Sequence, residues 1–179
     1  MIYLDYAAAT PPDDSVLDTF YQVTKKYYAN PNSSHKLGLD SKKLMDDTTL
    51  EISNLLHVSE EEIIYTSGAS EANNLAIKGV AERYKNRGKH ILISALEHNS
   101  IVASATYLME NGYEVEIIPV THDGYIDITS LKQMLRSDTI LVSITSVDSE
   151  LGIKQPIEEI GLLLKDYPNC IFHTDSSQA

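Results

Sequence analysis

Short apolar runs alternate with amphipathic stretches along most of this chain, and that rhythm predicts its architecture. Five β-rich runs recur, at 62–66, 90–94, 114–118, 139–144 and 170–174. Between them the spacing predicts helices over 70–87, 99–111, 127–136 and 156–166. Ahead of them, a helix over about 35–57 starts at Ser33-Ser34 and carries Leu37, Leu44, Ile52, Leu55 and Leu56. A shorter helix covers 13–28, opening with Asp13 and Asp14 after Pro11-Pro12. Four of the five β-rich runs are short and apolar enough to be buried. Strands alternating with helices in this way imply a three-layer α/β/α, mostly parallel sheet with helices on both faces. No Pro/Gly/Ser-rich linker divides the chain. It therefore reads as one domain over 13–179, preceded by an N-terminal arm at 1–12.

Composition narrows the classes of function. The 26 acidic residues outweigh 14 basic ones, a net charge of −12, and such a field repels nucleic acid and anionic membrane surfaces. No apolar run approaches the roughly 18–20 residues of a membrane span, and the N-terminus lacks the pattern of a signal peptide. A lone cysteine, Cys170, rules out an intrachain disulfide framework and points to a reducing, cytoplasmic setting. The six histidines (35, 57, 90, 98, 122, 173) contain no H-x-x-x-H pair, so no metal site is expected. His90 and His122 read as surface positions, and Cys170 as an inert residue in an apolar strand.

Three segments carry chemistry. In Tyr65-Thr66-Ser67-Gly68-Ala69-Ser70-Glu71-Ala72-Asn73-Asn74 an apolar run gives way to a small-residue turn and then a helix. Unpaired N–H groups at such a helix start suit a phosphate, while an ordinary N-cap at Ser67 or Ser70 explains the same residues. Neither a G-K-[ST] loop nor G-x-G-x-x-G is present. Glu97-His98-Asn99-Ser100 follows the 90–94 run, at the carboxyl end where parallel sheets bind ligands. There His98 could stack on an aromatic ring or move a proton, or simply make a local helix-start hydrogen bond. Asp175, in Phe172-His173-Thr174-Asp175-Ser176-Ser177-Gln178, lies at the carboxyl end of the last run. Its carboxylate either fixes a cationic nitrogen or caps a helix.

Taken together these segments resemble the cysteine desulfurases, in the aminotransferase class V group of fold-type I pyridoxal-phosphate enzymes. The likeness also runs through Tyr3-Leu4-Asp5-Tyr6-Ala7-Ala8, Ala29-Asn30-Pro31-Asn32-Ser33-Ser34-His35, Asn74-Leu75-Ala76-Ile77-Lys78-Gly79, residues 138–144 and Glu150-Leu151-Gly152. It implies that Ala69 and Ser70 bind the cofactor phosphate, and that His98 stacks on the pyridine ring and assists proton transfer. It implies further that Asp175 pairs with the ring nitrogen and that Gln178 hydrogen-bonds the ring 3-oxygen. L-cysteine is the implied substrate, giving L-alanine and sulfur carried on an enzyme cysteine.

Two departures qualify the resemblance. Where the family carries Asn-Asn before Glu-[Ile/Leu]-Gly, this chain has Asp148-Ser149. Ser149 then holds the place of an asparagine that contacts the cofactor ring oxygen, with a shorter side chain and a new charge beside it. The family's cofactor-joining lysine follows the Asp-x-x-Gln segment by some two dozen residues, in a Ser-x-His-Lys context, and its sulfur-accepting cysteine lies farther on. None of the eleven lysines here follows Asp175. The 179 residues are therefore expected to be the N-terminal part of the large domain, with about five of its seven strands and no turnover alone. A second copy or a complementing C-terminal half is the expected partner. A non-catalytic, partner-binding remnant and another class V lyase or aminotransferase stand as alternatives.

Overall fold

The computed structural model describes residues 1–179, which form two compact units, Met1–Tyr65 and Thr66–Ala179. The first unit holds helix α1 (Asp14–Lys26), helix α2 (Lys36–Leu56) and a single 3₁₀ turn at Glu60–Glu62. Asp13 caps α1 by accepting the Ser15 N–H at 2.8 Å. His35, rather than the serines before it, caps α2 by accepting the Gly38 N–H. A Cβ at Gly38 would run into the carbonyl oxygens of Ser33 and Asn30, so the chain folds back on α2 only because that residue has no side chain. No residue of α1 is buried, and Val16, Leu17, Phe20 and Tyr21 are all exposed.

The run at 62–66 is not a strand. Its first residue, Glu62, ends the 3₁₀ turn, and Ile63 is extended but joins no ladder. Ile64 and Tyr65 are 68% and 58% exposed. An apolar run becomes a strand only when another strand takes its backbone hydrogen bonds, and none lies alongside this one. The sheet therefore has four strands where the pattern along the chain suggested five.

The second unit contains α3 (Ala69–Tyr84), β1 (His90–Ser94), α4 (Asn99–Glu110), β2 (Glu114–Ile118), α5 (Ile128–Met134), β3 (Thr139–Ser143), α6 (Ile157–Leu164) and β4 (Ile171–His173). Its strand order is β2-β1-β3-β4, all parallel, as the alternation of strands and helices requires. β1 and β3, in the middle, are buried at every residue, while β2 and β4 form the edges. Two apolar clusters cover the faces. Ile91 and Ile93 pack with Ile77 and Ala81 of α3 and Ile101, Ala105 and Leu108 of α4. Leu92, Val142 and Ile144 pack on the other side with Leu131 of α5 and Ile160 and Leu164 of α6. The pairing slips by one residue at Ile140, so Ile140 and Leu141 both join the α3/α4 cluster.

His90 is fully buried, not on the surface as its position at a strand start suggests. Its Nδ1 lies 2.7 Å from Thr139 Oγ1 and its Nε2 3.0 Å from Glu116 Oε1. The Glu116 carboxylate only accepts, so Nε2 must donate to it, and the Thr139 hydroxyl, which also accepts the Arg136 N–H, gives its proton to Nδ1. Burial, with the Arg136 charge adding to it, pushes His90 below its ordinary value. His122, in contrast, is exposed.

Candidate functional site

At the carboxyl ends of β1, β3 and β4 the loops enclose an open cleft of about 140 Å³, smaller than the about 300–1,000 Å³ usual for complete small-molecule sites. Ala69, His98, Ser149, Asp175 and Gln178 all line it, together with Thr145 and Ser177. Five of the six residues singled out in the sequence thus meet in one place. Ser70, the sixth, sits beside Ala69 in the first turn of α3 but does not line the cleft.

Asp175 leaves β4 on the α3/α4 side of the sheet. Its Oδ1 accepts the Ser177 N–H at 2.9 Å and the Ser177 hydroxyl at 2.6 Å. Its Oδ2 accepts from Asn73 Nδ2 at 2.8 Å. Burial alone would raise this carboxyl, but the Ser177 and Asn73 hydrogen bonds outweigh it and hold the group below its ordinary value. The backbone of Asp175 is anchored as well, its carbonyl accepting the Ser146 N–H at 2.8 Å. The result is a fixed, ionised carboxylate.

His98 is the N-cap of α4 and its Nδ1 accepts the Ser100 N–H at 3.2 Å, so the local helix-start role is present. Ser100 Oγ lies 2.9 Å from the same nitrogen. With Nδ1 accepting, the proton of the neutral ring is on Nε2. The start of α3 is different. Gly68 is its N-cap and offers no side-chain acceptor, and Glu71 is turned back onto the Ser67 N–H and hydroxyl. The opening amides of α3 are thus uncapped donors beside Ala69.

Ser149 is exposed at the cleft wall. Asp148 is buried, and its Oδ1 accepts the N–H groups of Glu150 and Leu151. That turn ties the extra negative charge of the Asp148-Ser149 pair into its own loop.

Sequence reasoning missed three contributors. Asn73, 4% exposed, spans Asp175 and Ser100. It occupies the same stripe as the buried Ile77 and Ala81, four and eight residues on, so its place among apolar positions was the available signal. Glu97 Oε1 accepts from Ser94 Oγ at 2.6 Å and from the Thr145 N–H at 2.7 Å, joining the loop after β1 to the loop after β3. Burial pushes the Glu97 carboxyl up, against those two hydrogen bonds, and Oε2 is buried with no partner. Thr145 had no sequence signal at all. Cys170 lies at the opposite end of the sheet, just before β4, its thiol pushed up by burial to about 12.

The residues present suit pyridoxal phosphate. A fixed carboxylate matches a protonated pyridine nitrogen, an imidazole stands nearby for ring stacking, and free amides open a helix for a phosphate.

Comparison with known proteins places the chain in a family. The model of the aminotransferase class V family matches residues 2–179. The mitochondrial cysteine desulfurase of Candida albicans is 41% identical over 179 residues, covering 99% of this chain and 36% of that protein. The solved structure of a NifS-like protein superposes with a TM-score of 0.95 at 32% identity, over 99% of this chain and 49% of the other. A structure of SspA in complex with cysteine superposes with a TM-score of 0.91 at 33% identity, over 99% of this chain and 51% of the other. The chain thus spans about a third to a half of the length of these relatives. With the family model matching nearly every residue and the fold reproduced across the whole chain, this protein belongs to the aminotransferase class V family, among relatives that include cysteine desulfurases.

Proposed function

We propose that residues 13–179 form the N-terminal part of the cofactor-binding domain of a cysteine desulfurase-type enzyme, with residues 1–12 as an arm. Such an enzyme converts L-cysteine to L-alanine and passes the sulfur to one of its own cysteines. The observation that carries this reading is Asp175, held ionised by three hydrogen bonds in the same cleft as His98. When bound, pyridoxal phosphate supplies an electron sink for chemistry at the amino acid's α-carbon. Asp175 keeps a proton on the ring nitrogen. The His98 imidazole would stack on the ring and, with Nδ1 engaged, would offer Nε2 for proton transfer. The amides of Ala69 and Ser70 would hold the phosphate, and Gln178 and Ser149 would hydrogen-bond the ring oxygen.

In this reading the cofactor-joining lysine and the sulfur-accepting cysteine come from polypeptide beyond these 179 residues, in cis or from a complementing C-terminal half. The exposed apolar residues of α1 are surface for that half or for a second copy to cover. No helix is long and apolar enough to cross a membrane, and the cytoplasm is the compartment the reading takes.

Titrating pyridoxal phosphate into the chain tests the proposal. We expect saturable binding that Asp175→Ala weakens by about 10- to 100-fold, the equivalent of a charge-assisted hydrogen bond of roughly 1.5–3 kcal/mol. Adding the C-terminal half of a desulfurase relative should then give cysteine-dependent sulfide release. Cofactor binding that does not saturate, or that Asp175→Ala leaves unchanged, overturns the assignment.

A further inference from the structure

The four polar side chains Asp175, Asn73, Ser100 and His98 are consecutive in space though they come from three segments of the chain. We propose that Asn73 is a positioning residue for this site, whose one buried amide fixes both the carboxylate of Asp175 and, through Ser100, the imidazole of His98. The inference rests on the reading of the site given above.

Proton counting supports it. Asn73 Nδ2 has two hydrogens, and the structure gives each an acceptor, Asp175 Oδ2 at 2.8 Å and Ser100 Oγ at 3.0 Å. The carboxylate has no proton of its own to give, so it is the nitrogen of the Asn73 amide that must face it. Ser100 Oγ, having accepted from Asn73, turns its own hydrogen to His98 Nδ1 at 2.9 Å. The chain of donors therefore runs one way, from Asn73 outward to both ends. Asn73 is 4% exposed and packed on the stripe it shares with Ile77 and Ala81, so the amide that joins the two ends is itself held in place. Asp175 is also secured by Ser177. Asn73, however, is the group that links the Asp175 carboxylate to the His98 ring through Ser100, whereas Thr145 ties only the Asp175 carbonyl.

Three substitutions separate the branches. Asn73→Asp keeps the size of the side chain but removes both donors and places a second carboxyl against Asp175. Carbon-13 NMR titration of the ligand-free chain should then show the carboxyl pair taking up a proton about one pH unit or more above the wild-type Asp175 midpoint. Asn73→Ala, which adds no charge, should move it upward by less. Ser100→Ala leaves the Asp175 branch intact, so the carboxyl midpoint stays in place. It should instead shift the nitrogen-15 signal of His98 Nδ1, which loses the hydroxyl and keeps only the backbone N–H of residue 100 as a donor. In cofactor titrations Asn73→Asp should weaken pyridoxal phosphate binding about tenfold or more. Folding of each variant is followed by circular dichroism, and Ser100→Ala carries the test if an Asn73 variant does not fold.

An unchanged carboxyl midpoint in a folded Asn73 variant, or an unchanged His98 Nδ1 signal in Ser100→Ala, overturns the proposal. Because both readings are made without cofactor, their failure is distinct from a failure of the chain to bind pyridoxal phosphate.

Discussion

Replacing Thr139 by valine should destabilise the chain although it changes neither shape nor apolar packing. Thr139 is 1% exposed, and its hydroxyl is the hinge of a buried polar chain. It accepts the Arg136 N–H at 2.9 Å and donates to His90 Nδ1 at 2.7 Å, and His90 Nε2 in turn serves Glu116 at 3.0 Å. Valine leaves one buried group, His90 Nδ1, and one partly buried group, the Arg136 amide, without partners. Each orphaned group costs about 1–3 kcal/mol, and the Arg136 amide is only partly buried. A total of roughly 2–4 kcal/mol therefore follows from these orphaned groups. With a urea m-value of about 2 kcal/mol/M, that moves the unfolding midpoint down by about 1–2 M. Thr139→Ser keeps the hydroxyl and loses one methyl, so its cost should stay near ~0.8 kcal/mol. Urea titration of the three proteins at pH 7.5, with fluorescence and circular dichroism followed together, gives both values. If the valine variant unfolds within ~0.5 kcal/mol of the serine variant, the hydroxyl is not what holds His90, and the assigned tautomer fails with it.

Stability should also depend on pH through His90 and His173, both lowered, chiefly by burial. Each is neutral when folded and takes a proton when unfolded, so its contribution is complete above the ordinary value of 6.5 and is lost as pH falls below it toward the lower folded value. Comparing urea midpoints at pH 7.5 and 5.5, His90→Gln and His173→Gln should each flatten the wild-type dependence, and equal slopes in all three would contradict the burial argument. Cys170, with its thiol near 12, should resist iodoacetamide at pH 8 while folded and react fully in urea, and rapid native labelling would show that the strand start opens. Gln155 accepts the Ile126 N–H and donates to the Gly124 carbonyl, both at 2.8 Å, while 3% exposed. Gln155→Leu should therefore cost about 1–3 kcal/mol by thermal or urea unfolding, and a neutral result would mean that water replaces both contacts.

The linear order of apolar runs determined the class of fold and most of its elements. Alternating runs such as Ile91-Leu92-Ile93 and Leu141-Val142 leave few ways to bury both faces, and helices between parallel strands are the simplest. The same order set Asp175 and His98 just beyond strand ends, and the ligand side of a parallel sheet follows from that placement. What the chain order does not contain is the partner of each group. Whether 62–66 becomes a strand depends on a neighbour, because a ladder needs two backbones. His90 looks like a surface residue until β1 lies between β2 and β3, where Thr139 and Glu116 close over it. Asn73 acquires its meaning in the same way, since Asp175 lies 102 positions away and Ser100 lies 27 away. Local sequence determines where a side chain sits along its element. Only the packing of α3, α4 and β4 decides that one buried amide reaches both ends of the cleft.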